Sequence, residues 1–463
     1  MAMSSEDGLL AEVWRDVGGD TMRLVLVQGS SPPPLRAALP VARLVHDAVA
    51  AAALAAQELE DSAAPIRIDP VHAATAVTSE RWFRHHGEAP RAWHPLSGFR
   101  PAADGFVRTH ANYPHHHERL LRSLGLTGAA DAAALDARIR SMTGAEVERA
   151  AAANGALAVA VRTEGEWGAS PQGRAGAAGP LVQFERTGAR LRWRRGARGS
   201  EPRRSPGARR TADAPTVAEG PRAAGAPLAG LRVLDLTRVI AGPVAGRTLA
   251  LLGADVLRID PPRLPELGWQ HLDTGHGKRS ALLDVRSVDG SARFERLLES
   301  ANVLLLGYRP GALDVEAIVG RHPALVVAEL SAWGWSGPWA DRRGFDSLVQ
   351  AASGIAVVEG ATDTPSALPA QALDHATGYL LVAAVLRAVA EGGSARIRAS
   401  LARTAAALLA LPRGADAGAA TAADAFEPSL VHLHGLTTAQ PAFGRRSWPA
   451  PPRSWGGDPA AWR

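Results

Sequence analysis

The chain has 463 residues, 51 basic and 46 acidic, for a formal net charge of +5, with 46% hydrophobic and 21% charged side chains. This is the composition of a soluble globular protein long enough for roughly three domains of ~150 residues, and the small net charge does not call for nucleic acid. The absence of cysteine excludes disulfides, thiolate metal sites and thiol nucleophiles, leaving oxygen or nitrogen groups for any covalent chemistry.

The N-terminus, MAMSSEDGLLAEVW, carries acids early and lacks a basic region followed by an apolar core, so it does not read as a signal peptide. The longest apolar stretches, Ala48 to Ala56 and Gly378 to Leu386, are about half of the ~20 residues a membrane span requires. A cytoplasmic protein is the expectation. PVARLVHDAVAAAALAAQELE (40–60) predicts a long helix, DGFVRTH (104–110) a strand, HERLLRSLG a helix ended by Gly125, and the stretch from GAEVER to EGEW a helix followed by a strand. Between Arg186 and Pro227 the chain is rich in Arg, Pro, Gly and Ala with almost no large apolar residue, which predicts a linker, drawn at 191–226.

Beyond it, LRVLDL (231–236), a helix up to Leu252 and ADVLRID (254–260) form a β-α-β unit. SALLDV, SVDGSARFERLLES, NVLLLG and ALVVAEL continue the alternation, which predicts a doubly wound parallel sheet. DHATGYLLVAAVLRAVA (374–390) predicts an apolar helix opened by Asp374, a good N-cap residue. It echoes the helix at 40–60, with Arg43 where the second copy has Asp374. The tail from Pro428 is rich in Pro, Trp and Arg without periodicity.

Lys278 is the single lysine of the chain. With Arg279 it supplies positive charge for an anionic ligand, the alternative being an ordinary surface cation. A helix starting near Gly242 offers unpaired amides and a positive dipole end to a phosphate. His110, His115, His116 and His117 lack the further ligand that would complete a metal set, so a solvent- or anion-facing run is expected and no metal. Trp333, Trp335 and Trp339 read as loop packing, with a ligand platform as the alternative.

The ordered series DLTRVIAGPVAGRTLALLGADVLRIDPP (235–262), GHGKRSALLDV (275–285), LLGYRPGAL (305–313), LSAWGWSGPW (330–339), GFDSLVQAASG (344–354) and ALDHATGY (372–379) resembles the CaiB/BaiF family of class III coenzyme A transferases over roughly 227–405. The resemblance implies an α/β fold, a Rossmann-like doubly wound parallel sheet with a second, smaller α+β domain, and a homodimer, in the family an interlocked one. It implies an acyl-CoA:carboxylate CoA-transferase, with acyl-CoA and carboxylic acid substrates, no other cofactor, and Asp374 as nucleophile passing through an aspartyl-CoA thioester. Arg238, Val239, Gly242, Lys278, Arg279, Tyr308, Arg309 and Ser331 are the implied CoA-binding positions; Gly307 stands where the family has an amide side chain.

In related racemases a histidine precedes the aspartate of the second-last motif, whereas this chain has Gly344-Phe345-Asp346; phenylalanine cannot exchange a proton, which disfavours that pairing. Two other readings stand beside the transferase: a CoA-thioester racemase or isomerase with other acid–base groups, and a non-catalytic binding subunit. The N-terminal half resembles the family's small domain displaced to the front. The expected organisation is therefore a catalytically empty partial copy (1–190), the linker (191–226), a CoA-binding and catalytic half (227–410) and a tail (411–463), with Arg43 marking a silent second site.

Overall fold

A computed structural model describes residues 8–29, 31–193, 226–413, 426–444 and 447–462. The expected linker lies outside the described residues from 194 to 225. The chain opens with α1 (Leu9–Asp16), α2 (Val41–Leu59), α3 (Pro70–Val77), α4 (Ser79–Trp82) and the two-residue strand β1 (Arg84–His85). A small unit follows, made of β2 (Gly98–Ala102), β3 (Gly105–Thr109), α5 (Pro114–Ser123), α6 (Ala132–Arg140), α7 (Gly144–Ala153) and β4 (Ala158–Ala160). Its three strands pair antiparallel in the order β2-β3-β4, and Val107, Leu120, Leu121, Leu135, Ile139 and Val147 form its core. Thr143 and Glu146 close a capping box at the start of α7, satisfying two otherwise orphaned amides. Then come α8 (Glu164–Ala169), α9 (Pro171–Ala177) and β5 (Val182–Arg190).

The second half runs β6 (Arg232–Leu236), α10 (Ala241–Leu251), β7 (Asp255–Asp260), α11 (Gly268–Thr274), β8 (Lys278–Leu282), α12 (Val288–Leu298), β9 (Val303–Leu306), α13 (Val315–Arg321) and β10 (Val326–Ser331). It continues with α14 (Asp346–Ser353), α15 (Ile355–Glu359), α16 (Ala372–Glu391), β11 (Gly393–Ser400) and α17 (Leu401–Ala410), and ends in the hairpin β12 (Leu430–Leu433) and β13 (Leu436–Ala439). The large sheet has the order β5-β11-β10-β9-β6-β7-β8, parallel throughout except for β5, which pairs antiparallel with β11. From β6 the chain winds outward to β7 and β8, and from β9 in the opposite direction to β10 and β11. The reversal between β6 and β9 opens a crevice at their carboxyl ends, the place where sheets of this kind bind ligands.

Several boundaries differ from the sequence reading. Arg186 to Arg190, placed in the low-apolar stretch, complete β5 at the sheet edge. Lys278 and Arg279 begin strand β8, which was expected to start at Ser280. The aperiodic tail is anchored: β13 pairs with β1, Gly457 bridges Ala281, and Trp455 Nε1 donates to Asp260 Oδ2 at 3.1 Å.

Helices α2 and α16 are apolar almost all round and pack against each other in the core, as such helices must. Helix α16 is, among the described residues, the one helix long and apolar enough to cross a membrane by length and composition, and its apolar window is wholly buried inside the protein. The two helices start alike. Their N-cap residues Pro40 and Gln371 have φ/ψ of −75°/55° and −75°/61°, so Arg43 and Asp374 are each the third residue after the cap.

Candidate functional site at the carboxyl ends of β6 and β9

Strand β6 ends in a turn that leads into α10. Val239 in this turn has φ of 71°, a left-handed conformation that strains a β-branched residue and is held by its surroundings. Its amide donates to Glu266 Oε2 at 3.0 Å, and Arg258 Nη2 donates to the same oxygen at 2.9 Å. Tyr113, which precedes α5 of the small unit, donates its hydroxyl to the other oxygen of Glu266, so the N-terminal half braces this turn. Burial opposes the charge on Glu266, but Arg258 and Arg238 outweigh it and bring the carboxyl down to about 2. Gly242 stands where any Cβ would collide with the Thr237 side chain, which accounts for glycine in the first turn of α10.

Arg238 lies over the Tyr113 ring at 5.1 Å and donates to the Pro265 carbonyl at 2.7 Å. Tyr308 is partly buried, and burial pushes its hydroxyl up to about 12. Arg309 is exposed and donates to the Asp341 carbonyl at 2.9 Å. These residues line the crevice side, as does Val239. Ser331 instead shapes the loop after β10, its Oγ accepting from the amides of Trp333 and Gly334 at 3.3 and 3.1 Å.

Lys278 and Arg279 start β8, and the Lys278 side chain reaches the end of β6 and the first turn of α10. Lys278 Nζ is buried and donates to Asp235 Oδ2 at 2.8 Å and to the Pro243 carbonyl at 2.9 Å. Gly246 leaves the room for this pair, since a Cβ there would come within 2.8 Å of Nζ. Burial draws the ammonium down to about 8 against the pull of Asp235. Arg279 is buried too, on Asp255 at 3.0 Å and the Ala461 carbonyl at 2.7 Å. The surface-cation reading of Lys278 does not describe this internal ion pair.

Asp374 is buried in the first turn of α16, with 7% of its surface exposed. Because α16 returns from the end of β10 to start parallel strand β11, its N-terminus lies toward the carboxyl edge of the sheet. Gly378, one turn on, lets α16 pass within 2.5 Å (ideal Cβ to oxygen) of the Ala241 carbonyl at the start of α10. The expected N-cap role of Asp374 is not the one observed: the cap is Gln371, and no side chain of its own helix caps it. Asp346, the first residue of α14, caps instead, its Oδ2 accepting the Asp374 amide at 2.9 Å. Gln350 donates to the other oxygen of Asp346 and accepts the Leu368 amide at 2.9 Å, fixing the segment that leads into α16.

The two carboxyls therefore differ. Burial pushes Asp346 up to about 6, opposed by the amides of Asp374 and Leu373, by Gln350 and by the charge of Arg108. Burial and then the charge of Asp346 push Asp374 well above the ordinary carboxyl range, and no donor bonds to its carboxyl among the described residues. Like charges this close share their protons, so the negative charge rests first on the hydrogen-bonded Asp346.

The sequence reading missed other site groups. Arg343 and Arg119 converge at Gly155, whose ideal Cβ would lie 2.9 and 3.5 Å from their Nη1 atoms. Burial and the charges of Arg309 and Arg119 bring Arg343 down to about 10. None of these three arginines has a carboxylate partner among the described residues. His110 and His116 are buried, not solvent-facing. The His110 ring stacks on Phe345 at 4.0 Å and 13°, and both its nitrogens are buried without partners among the described residues. Among the described residues no group of three His, Asp or Glu side chains is arranged to hold a metal. Trp333 and Trp339 pack edge to face at 4.8 Å against Trp167, as interior loop packing. Arg43 is paired with buried Asp47 at 2.6 Å.

Residues 228–426 match the model described as CoA-transferase family III. This part of the chain is similar to that family. A probable fatty acyl-CoA transferase of Mycobacterium tuberculosis is 33% identical over 182 residues, 35% of this chain and 46% of the relative. A succinate–glutarate CoA-transferase of Agrobacterium fabrum is 32% identical over 187 residues, 35% of this chain and 47% of the relative. A crystal structure of a hypothetical protein from Mycobacterium tuberculosis aligns with 32% identity and a TM-score of 0.37, covering 40% of this chain and 58% of that one. The chain thus spans less than half the length of the curated relatives it matches here.

Proposed function

We propose that the protein moves coenzyme A from an acyl-CoA thioester to a carboxylic acid, with Asp374 as covalent carrier. The observation that carries this reading is a buried carboxyl without a donor among the described residues, placed at the carboxyl edge of a doubly wound sheet and backed by a second carboxyl that anchors its helix. Ionised Asp374 attacks the thioester carbonyl, the C–S bond breaks, and a mixed anhydride and CoA thiolate result. The thiolate then attacks the aspartyl carbonyl, forming the aspartyl-CoA thioester and releasing the donor's carboxylate. The acceptor carboxylate repeats the sequence in reverse and leaves as the new thioester. One thioester replaces another, so neither ATP nor a metal is needed to balance the exchange.

Arg119, Arg309 and Arg343, with Arg238 behind them, are the proposed contacts for the CoA phosphates, in place of Lys278 and Arg279. The mutual repulsion of Arg119, Arg309 and Arg343, none of them paired with a carboxylate among the described residues, is the electrostatics of an anion site, while Arg238 is held by Glu266 at 3.8 Å. The proposed organisation remains one and a half copies: Arg43 occupies the position of Asp374 on a helix with the same start, and the N-terminal half contributes Tyr113, Arg119 and β5 from the same chain.

Incubation with an acyl-CoA followed by hydroxylamine should convert Asp374 to a hydroxamate, and borohydride should convert it to homoserine, both read by peptide mass. Unmodified Asp374 under turnover conditions would exclude the carrier role. The pH profile offers an independent check. Asp346→Asn keeps an acceptor for the Asp374 amide and removes the neighbouring charge, so the acid limb of exchange should move to lower pH. Asp346→Ala should in addition cost about 1 kcal/mol of stability, as for a lost helix cap.

One observation favours a second reading, proton transfer at the α-carbon: His110 lays an imidazole with two unpartnered nitrogens on Phe345, where the sequence itself lacks one. Deuterium incorporation without CoA exchange would select it.

A further inference from the structure

Strand β3 carries a charge that the protein leaves unanswered. Arg108 is only 9% exposed, yet it forms no hydrogen bond or ion pair among the described residues, and its Nε is buried without an acceptor. Its guanidinium lies between two rings, 5.1 Å from the centroid of Trp93 and 4.8 Å from that of Phe99, its partner across the β2–β3 pair. Arg100, on the neighbouring strand, shows what a structural arginine looks like here. It donates to Thr109 Oγ1 at 3.3 Å and to the Pro95 carbonyl at 2.6 Å, and it pairs with Asp136.

Burying Nε without an acceptor is costly, and aromatic stacking replaces only a small part of the hydration lost, while the terminal nitrogens stay open to a ligand. The planar fork that remains is shaped for a carboxylate. Arg108 also belongs to the acid pair's surroundings. Its charge acts on Asp346, and two residues further on His110 stacks on Phe345, the residue immediately before Asp346. The small unit thus holds an unsatisfied cation close to the carboxyl pair at the start of α16.

We propose that Arg108 receives a second carboxylate, so that the acids handled at this site are dicarboxylic. The proposal rests on the CoA-transfer reading for the role of the acid, but the binding step it describes does not require turnover. A dicarboxylate would place one carboxyl at Asp374 for exchange and the other on the Arg108 fork. A monocarboxylic acid of the same length would leave the buried guanidinium unanswered and would be discriminated against, because the site's own polar group stays unpaired.

Calorimetric titration of the full chain in the presence of CoA, with succinate against butyrate and glutarate against valerate, tests this. The dicarboxylates should bind at least ~10-fold more tightly than their monocarboxylate partners, the size expected for a charged hydrogen bond. Arg108→Met, which keeps an unbranched stem between Trp93 and Phe99, should bring both ratios close to one, and Arg108→Lys should retain part of the preference. If Arg108→Met does not fold, Arg108→Gln reads the same ratio. A parent protein with no dicarboxylate preference, or a preference unchanged by removing the guanidinium, overturns the proposal and leaves Arg108 as aromatic packing. Trapping at Asp374 is scored separately, so loss of the carrier mechanism would not be mistaken for loss of the second-carboxylate site.

Discussion

Asp374→Asn is expected to lower CoA exchange by at least ~10³-fold, because the amide cannot act as the acyl carrier. At pH 8 the same variant should melt at a higher temperature than the parent protein. Asp374 holds its proton more tightly in the folded chain than in the unfolded one, since burial and then Asp346 raise its pKa. A group raised in this way favours folding most below its ordinary pKa, and its contribution falls as pH rises toward the folded-state value. The amide stays neutral and avoids that loss, while the backbone bond from residue 374 to Asp346 is retained. Asp374→Ala should lose activity equally, because it too lacks the carboxylate, and no helix cap is lost with it, since the cap is Gln371. Exchange monitored by mass and melting curves at pH 5 and pH 8 check both halves; an active Asp374→Asn protein would remove Asp374 from the chemistry.

Lys278→Met should destabilise the protein by about 3–5 kcal/mol, the range for breaking a buried ion pair from one side. That is a large share of the ~5–15 kcal/mol by which domains are stable. Asp235 would remain buried with only the Thr237 amide at 3.0 Å and the Thr237 hydroxyl at 2.5 Å as donors. The double variant Asp235→Asn/Lys278→Met should recover much of the loss, because the uncompensated charge is gone. Urea denaturation reports the stability, and CoA affinity corrected for the folded fraction should stay near that of the parent. A Lys278→Met protein of normal stability with weakened CoA affinity would show that the lysine leaves Asp235 to meet the ligand.

Local pattern carried much of the fold. LRVLDL and ADVLRID are rich in Val, Leu and Ile, interrupted by Arg and Asp, and β6 and β7 lie where they were read. Strand β11 also has a signal, Ala395, Ile397 and Ala399 inward against Arg396 and Arg398, but it runs on directly from a long helix. Strand β5 had almost none: its residues are largely exposed beyond Val182, and only pairing with β11 makes it a strand. The site divided along the same line. Asp374 and the β6–α10 turn are local motifs. The partner of Lys278 is 43 residues away, Arg119 and Arg343 meet only in the folded chain, and Arg108 differs from Arg100 only by what surrounds it. Charge type is visible in a sequence, whereas whether a charge has been answered is a property of the fold.

The antiparallel edge strand has a consequence for biosynthesis. Val182 finds its sheet partner at Ala399, and α2 must wait for α16, which begins at Ala372. At roughly 5–20 residues per second, the ribosome needs on the order of 10–40 s to deliver β11 after β5 has been made. Throughout that interval the nascent chain carries the Ala-rich face of α2 uncovered, while the small three-stranded unit, whose contacts are local, has every residue it needs to fold. Completion of the large sheet thereby waits for residues 393–400, and a chain stalled before α16 would present an apolar helix to the chaperones that attend the exit tunnel.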